Sequence, residues 1–524
     1  MRTSRSTGII GIDVGTSVIK TALFTLEGNM IGVSSRKTEV VRNRNSFAEC
    51  DMHDVWAKVQ ECLQELMHDS RSGQLTICGV GITAQGDGTW LIDENNQPVR
   101  PAITWLDGRG AELVRFFHEN GTAEKVFSIT GTDINSSNQA VQLRWLKDNE
   151  PEAIANAKTV LRAKDWVFLN LTGKISTDFS DASFTYFNLN DNSYDSRVLE
   201  LIGISDIERL LPEALPIPKN IAPIKNVVAN SIGIPRDTPI VSGPIDVSAS
   251  ALGVGIYDIH DAVTVFGTAG IHQVVIDDPP GPPQNIGYTV SHGHHDRYLR
   301  LLPSKTGTLN SQWFVEQFYG EEAYSESGKI DWATIEAELE KIPVGSNGIL
   351  YHPYIDPSGE RVPFNNHTAR AQFTGINLTH TKPQLLHAVF EGVILSALDC
   401  YSRFPFKPKI VRLTGGGANS NFWSQMFSDA IGAPVQHVIE KEAGCKGAMI
   451  SAAVALGLYP DFETAIEKTI AVGKQFKPNL GRHEDYKELL TIFQSTYTAM
   501  FPSWQRMFDF AESRKKIEGG TPRK

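Results

Sequence analysis

Cysteine is scarce in this chain of 524 residues, which has five: Cys50, Cys62, Cys78, Cys400 and Cys445. They are odd in number and scattered, with no C-x-x-C pair. That argues against a disulfide framework or a zinc site and predicts a reducing, cytoplasmic setting. Positive charge is not in excess either. The formal net charge is −11, so a nucleic-acid partner has no electrostatic support. No apolar run reads as long enough to cross a bilayer. The opening Met1-Arg2-Thr3-Ser4-Arg5-Ser6-Thr7 precedes only a short apolar stretch that already carries Asp13, so neither a membrane partner nor a signal peptide is expected. Two nucleotide motifs are missing. Gly173-Lys174 and Gly328-Lys329 are not followed by Ser or Thr, so there is no G-x-x-x-x-G-K-[ST] loop, and no G-x-G-x-x-G follows the first strand. What remains is an ordinary globular composition, 41% hydrophobic and 21% charged, on a length that predicts more than one domain.

The most informative stretch present is Gly11-Ile12-Asp13-Val14-Gly15-Thr16-Ser17. Apolar runs on either side predict a β-hairpin with a carboxylate at its mouth and a turn rich in N–H groups. Such a turn can wrap a phosphate, and the carboxylate can hold the divalent cation that accompanies it. Thr16 through N–H, Ser17 through hydroxyl and Lys20 through ammonium are the natural phosphate partners. Asp13 closing an ordinary turn, and Lys20 as a solvated strand residue, are the plainer alternatives. A Gly-Thr turn recurs about 250 residues later, at Phe266-Gly267-Thr268-Ala269-Gly270, an offset too long for a solenoid repeat. It suggests two similar α/β domains, chemically unequal because Val265 stands opposite Asp13.

A strand–glycine–helix unit also occurs twice. Residues 239–243 lead to Asp246 and a helix over 247–252. Residues 410–414 lead to Gly415-Gly416-Gly417, with a helix expected from Asn419. Helix spacing is also read over 54–67 and 385–397, a buried strand over 77–83, and a proline-rich loop over 277–287. The domain boundary is expected at Gly253-Val254-Gly255, giving domains 1–254 and 255–511 with a frayed tail over 512–524.

Three positions could carry chemistry. Asp13 has been named. Asp246 would be kept ionised by a helix N-terminus, or it is simply an N-cap. Gln85-Gly86-Asp87-Gly88-Thr89-Trp90, at the end of the 77–83 strand, offers Gln85, Asp87 and Trp90 to a polyhydroxylated ligand. The alternative is a hairpin turn at Asp87-Gly88, and Trp105-Leu106-Asp107-Gly108-Arg109 shares that ambiguity. His292, His294 and His295 lack supporting carboxylates or cysteines, so they read as a strand edge rather than a metal site.

Taken in order, these motifs resemble the FGGY family of carbohydrate kinases, over residues 8–457. The resemblance includes the D-x-G-T-S hairpin, Trp105-Leu106-Asp107-Gly108-Arg109, Gly243-Pro244-Ile245-Asp246 and the Gly267-Thr268 hairpin. It continues through Gly375-Ile376 and Ala388-Val389-Phe390-Glu391-Gly392, Thr414-Gly415-Gly416-Gly417-Ala418-Asn419, and Gly444-Cys445-Lys446-Gly447-Ala448. It implies an α/β fold of two actin-like, ribonuclease-H-type domains with an interdomain catalytic cleft, ATP and Mg²⁺ as cofactors, and a small sugar or sugar alcohol as substrate. It is compatible with a homodimer. Carried over position by position, Asp13 and Asp246 would hold Mg²⁺ and Asp246 would be the catalytic base. Gly15, Thr16, Gly267 and Thr268 would cradle phosphates. Gly307, Gly415, Gly416 and Asn419 would line the adenosine side. Gln85, Asp87, Trp90 and Asp246 would touch the acceptor. The Gln85–Trp90 segment looks most like that of erythritol kinases, with an L-xylulose-type ketopentose as second choice. A non-enzymatic nucleotide sensor of the same class, or a phosphatase using water as acceptor, are the competing readings.

Overall fold

The computed structural model describes residues 6–43, 46–69, 73, 75–279 and 285–519, without the side chains of residues 6, 295 and 515–519. Two compact units emerge. The first comprises Met1–Ile259, Val275–Arg300 and Ile439–Ala471, the second His260–Val274, Leu301–Val438 and Val472–Lys524. The first crossover thus falls a few residues after the expected boundary. The expected continuous second domain is interrupted twice, most substantially by Ile439–Ala471.

The first unit is built on a six-stranded sheet. β1 (Ser6–Val14), β2 (Val18–Thr25) and β3 (Met30–Lys37) form an antiparallel meander. β4 (Leu75–Ala84) runs parallel to β1. β5 (Ile221–Pro223) pairs antiparallel with β6 (Pro239–Ser242), which runs parallel to β4. The order is β5-β6-β4-β1-β2-β3. Ile9, Ile10, Ile12 and Val14 of β1 are all inaccessible to solvent, as a central strand covered on both faces requires. Helix α1 (Met52–His68) covers one face. Asp51 caps it by accepting from the His53 amide, and Val55, Val59, Cys62, Leu63 and Leu66 point inward at helical spacing.

The other face explains why Ile439–Ala471 returns to this unit. The helix Ala443–Ala455 packs on β1, β4 and helix α2 (Asp246–Gly253) with backbone against backbone. A Cβ on Gly11 would lie 1.9 Å from the Cys445 carbonyl, and one on Gly81 2.0 Å from that of Ala448. A Cβ on Gly447 would lie 1.7 Å from the Ala249 carbonyl. Side chains at these positions would exclude the helix.

β7 (Ala262–Phe266) and β8 (Gly270–Ile276) form the recurrent hairpin, with β9 (His294–Ser304) beside β8 in the same sheet. β10 (Val411–Thr414) lies parallel to β7 and β11 (Val435–Val438) parallel to β10, with β12 (Val472–Phe476) antiparallel at the edge. Six of this sheet's seven strands read β9-β8-β7-β10-β11-β12, beside β3-β2-β1-β4-β6-β5, and from the hairpin onward the succession is the same: an antiparallel pair, two parallel strands and an antiparallel edge, with a seventh strand, Tyr288–His292, outside β9. The internal repeat is therefore topological. It re-pairs the strand–glycine–helix units, however. Gly415-Gly416-Gly417 follows the fourth strand of its unit, so its counterpart is Gln85-Gly86 after β4, and not Gly243 after β6.

Helix α3 (Lys382–Ser402) is the core helix of the second unit, opened by a reciprocal Thr381–Gln384 capping box. By length and composition it could cross a membrane, which corrects the reading that no run is long enough, but 89% of its apolar window is buried inside the protein. Helix α4 (Asn421–Ile431) starts later than expected. A 3₁₀ turn, Gly416–Asn419, comes first, and Ser420 is the cap, accepting from the Trp423 amide. The C-terminal helix runs Leu480–Gly519, where a frayed tail from Glu512 was expected. Residues 280–284 of the proline-rich loop, and 520–524, lie outside the described residues.

Candidate active site

In the first unit the chemistry gathers at the carboxyl ends of β1, β4 and β6. Asp13 pairs with Lys20 across the hairpin and with Thr83 on β4. Its carboxylate lies over Gly444, where a Cβ would come 2.2 Å from Oδ2. Burial raises the Asp13 carboxyl to about 6, partly countered by Lys20 and reinforced by Glu442. The Lys20 ammonium itself is held by Glu442 at 2.7 Å. The turn spends the Gly15 amide on the Val18 carbonyl at 3.1 Å. Among the described residues the Thr16 and Ser17 amides have no hydrogen-bond partner, so they are the two N–H groups the turn offers an anion.

Thr16 does something that sequence reasoning missed. Its hydroxyl donates to Gln85 Oε1 at 2.6 Å and accepts from Trp105 Nε1 at 2.7 Å. Trp105 is 44% exposed, an indole tied by its N–H to the turn with its ring in solvent. Asp107 and Arg109 hold that loop. Asp107 accepts from the amides of Ala48 and Arg109, and the Arg109 guanidinium lies on Phe47 and Trp145. Trp90 lies elsewhere: it is 1% exposed, in the apolar core of the first unit, with no ring face for a ligand. The signal for choosing between them was the polar Asp-Gly-Arg turn after Trp105, against the apolar Leu91-Ile92 after Trp90.

Asp87 occupies the left-handed region at φ 59° and is buried. Its carboxylate accepts from Asn138 Nδ2 at 3.0 Å, the Gln139 amide at 3.2 Å and Ser137 Oγ at 3.3 Å. Burial lifts its carboxyl to about 7 despite Arg162 and these donors. It therefore fixes the 135–139 loop. Gly86 packs against Ile245, whose Cδ1 would lie 1.9 Å from a Cβ there.

Asp246 is the first residue of α2 and is half-buried. Its Oδ1 accepts from the Val247 amide at 2.7 Å. Burial first, then the Asp13 charge, raise its carboxyl to about 8, against the stabilising amides of Val247 and Gly86. Two such carboxylates fit a divalent cation, which would relieve their repulsion. Among the described residues no group of three or more His, Cys, Asp or Glu converges, so the ion would complete its shell with phosphate oxygens and water, as magnesium does. His292 serves the fold: Nδ1 meets Ser248 Oγ at 2.9 Å and Nε2 the Ile256 carbonyl at 2.9 Å.

The second unit assembles the other set. The Gly267 amide donates to the Ala269 carbonyl, while among the described residues the Thr268 and Ala269 amides have no partner. Thr308 clamps the turn by donating from N and Oγ1 to the Gly267 carbonyl. Gly307 permits this approach, since a Cβ would sit 2.4 Å from that carbonyl. Gly415, at φ 89°, passes so near the Phe266 carbonyl that a Cβ would lie 2.5 Å away. Gly416 has open space around it. Beyond lies a cavity of about 520 Å³ lined by Gly416, Gly417, Asn419, Trp332, Phe390 and Phe422 among others. Glycine backbone, aromatic rings and the side-chain amides of Gln312, Asn419 and Asn421 suit a purine nucleoside.

A model of the FGGY carbohydrate kinase N-terminal domain matches residues 8–253, and one of the C-terminal domain matches residues 262–456. The chain belongs to the FGGY family of carbohydrate kinases. This FGGY kinase is 31% identical to an erythritol kinase of Brucella abortus over 95% of its own length and 97% of that protein's. It is 28% identical to an L-xylulose/3-keto-L-gulonate kinase of Escherichia coli, over 94% and 97% of the two chains. Its structure matches that of a ligand-bound xylulose kinase from Lactobacillus acidophilus with a TM-score of 0.86 at 25% identity, covering 96% and 100% of the two chains. The FGGY kinase is thus an enzyme of sugar or sugar-alcohol phosphorylation with a nucleotide as co-substrate, on the two-domain actin-like fold.

Proposed function

We propose that this enzyme transfers the terminal phosphoryl group of ATP to a terminal hydroxyl of a small sugar alcohol, erythritol first. The observation that carries the chemistry is Asp246, a half-buried carboxylate that opens α2 just beyond the end of β6 and whose Oδ1 accepts from the Val247 amide. An ionised carboxylate at that position takes a proton from a hydroxyl as the oxygen attacks phosphorus. The O–H bond breaks, an O–P bond forms, the β–γ bridge breaks, and ADP leaves. Phosphoryl transfer needs positioning and charge neutralisation above all. Trp105 offers a ring face to the acceptor's C–H groups, and Thr16 and Gln85 fix the floor beside it. The Thr268 and Ala269 amides serve the phosphates and the aromatic cavity the adenine. Mg²⁺, held by Asp13 and Asp246, would supply the charge that offsets the phosphate oxygens. Five free thiols fit a cytoplasmic enzyme.

Erythritol is favoured by the Gln85-Gly86-Asp87-Gly88-Thr89-Trp90 segment and by the erythritol kinase relative. The L-xylulose kinase relative favours a ketopentose. ADP release measured with ATP, Mg²⁺ and a panel of tetritols, pentitols and ketoses decides: the largest kcat/KM is expected with erythritol. A ketopentose preference would replace the substrate, and no acceptor-dependent ADP at all would refute the kinase reading.

A further inference from the structure

Behind Asp246 lies a buried ionic cluster that touches none of the groups assigned to substrate. Lys164, inaccessible to solvent, directs its ammonium to Asp178 Oδ1, to Asp181 Oδ2 at 2.9 Å and to the Gly243 carbonyl at 2.9 Å. The ammonium thus makes two hydrogen bonds, to Asp178 and the Gly243 carbonyl, and one ion pair, to Asp181. Asp178 in turn accepts from the Ser180 amide at 2.8 Å and its hydroxyl at 2.6 Å, and Ser180 Oγ accepts from the Ile245 amide at 2.8 Å. The segment leading into Asp246 is thereby gripped at successive backbone groups. The Gly243 amide goes to the Ile82 carbonyl, the Gly243 carbonyl to Lys164, the Pro244 carbonyl to Thr83 Oγ1 at 2.6 Å, and the Ile245 amide to Ser180.

A buried ion pair is poor value as a source of stability, because desolvating the charges offsets their attraction, but it fixes one geometry. The cluster supplies two of the four hooks on the loop before Asp246, Lys164 and Ser180, and β4 supplies the other two. We propose that Lys164, Asp178 and Ser180 are positioning residues that hold the Gly243–Ile245 segment so that Asp246 meets the acceptor hydroxyl. This rests on Asp246 acting as the base. Misplacement of a reacting group by about an ångström lowers turnover by up to about a hundredfold, so the cluster acts on kcat and not on binding.

The test uses full-length Ser180→Ala and Lys164→Met. In each folded variant kcat is expected to fall about tenfold to a hundredfold, with KM for ATP and for the acceptor within about twofold of wild type. Amide exchange in the peptide covering residues 239–253 is expected to quicken. A kcat within about twofold of wild type, a matching loss in both KM values, or unchanged exchange in that peptide overturns the positioning role. Ser180→Ala decides alone should Lys164→Met not fold. A wild type lacking acceptor-dependent turnover refutes the kinase reading instead, and the exchange measurement then still decides whether the cluster holds the loop.

Discussion

The loop after the fourth strand occupies one topological position in both units, and the two copies solve opposite problems. In the first unit residues 85–90 are packed: Gln85 is tied to Thr16, Gly86 is pressed on Ile245, Asp87 is buried under three donors and Trp90 is in the core. In the second unit the 415–419 loop is glycine-rich and open, with space around Gly416 and a cavity beside it. The hairpins differ the same way. Asp13 faces Lys20 in one, while Val265 faces Ile271 in the other, and the second turn, residues 267–269, is one residue shorter than 15–18. A duplicated frame therefore carries charge and rigidity in one copy and an apolar slot in the other. Rigid placement of few groups suits acceptor chemistry, and an open aromatic cavity suits a nucleoside.

The harshest way to break this contrast is at Asp246. Asp246→Asn is expected to lower kcat by about 10³-fold while ATP affinity, measured by calorimetry, stays within about threefold. Equal loss of both would make Asp246 a structural cap.

Next come the two tryptophans. Trp90→Ala should cost about 3–5 kcal/mol of stability in urea unfolding. Trp105→Ala should leave the unfolding midpoint nearly unchanged and raise the acceptor KM about tenfold. The reverse outcome would exchange their roles.

The glycines test the two loops directly. Gly415→Ala strains a positive φ and drives a Cβ toward the Phe266 carbonyl, so ATP affinity should weaken by about tenfold with acceptor KM unchanged. Gly86→Ala should instead lower acceptor kcat/KM and spare ATP binding.

Asp87 gives a smaller, pH-dependent effect. Its folded carboxyl is raised to about 7 from the ordinary 3.8, so the native state holds the proton more tightly than the unfolded chain. This contribution is fully present below the unfolded value and is lost as pH rises through about 7. Wild type should therefore lose up to a few kcal/mol relative to Asp87→Asn between pH 4 and 7. Parallel stability–pH curves would contradict the burial of that charge. Least of all, Lys20→Met should change stability by under about 1 kcal/mol, since its ion pair with Glu442 is partly exposed.

Much of this was legible in the chain. Alternating and continuous apolar runs gave the strands, and the recurrence of Gly-Thr predicted two similar domains. Asp13 and Asp246 stood out because acids rarely follow buried strands without a task. Less legible was anything set by close packing at a distance. Nothing in the spacing of Gly11, Gly81 and Gly447 shows that they form one slot, so the return of Ile439–Ala471 to the first unit went unread. Trp90 and Trp105 are each followed by leucine, and the polar Asp107-Gly108-Arg109 turn after Trp105 was a faint signal beside the difference in burial.

Local sequence determined what depends on neighbours along the chain: strand and helix periodicity, turn residues, and the family's ordered motifs. The tertiary structure decided what depends on desolvation and on partners far away in sequence. It put the Thr16 hydroxyl between Gln85 and Trp105, engaged Lys20 with Glu442, and raised the carboxyls of Asp13, Asp87 and Asp246 by burial. A residue's charge state and reach are properties of its surroundings, and those surroundings exist only once the chain has folded.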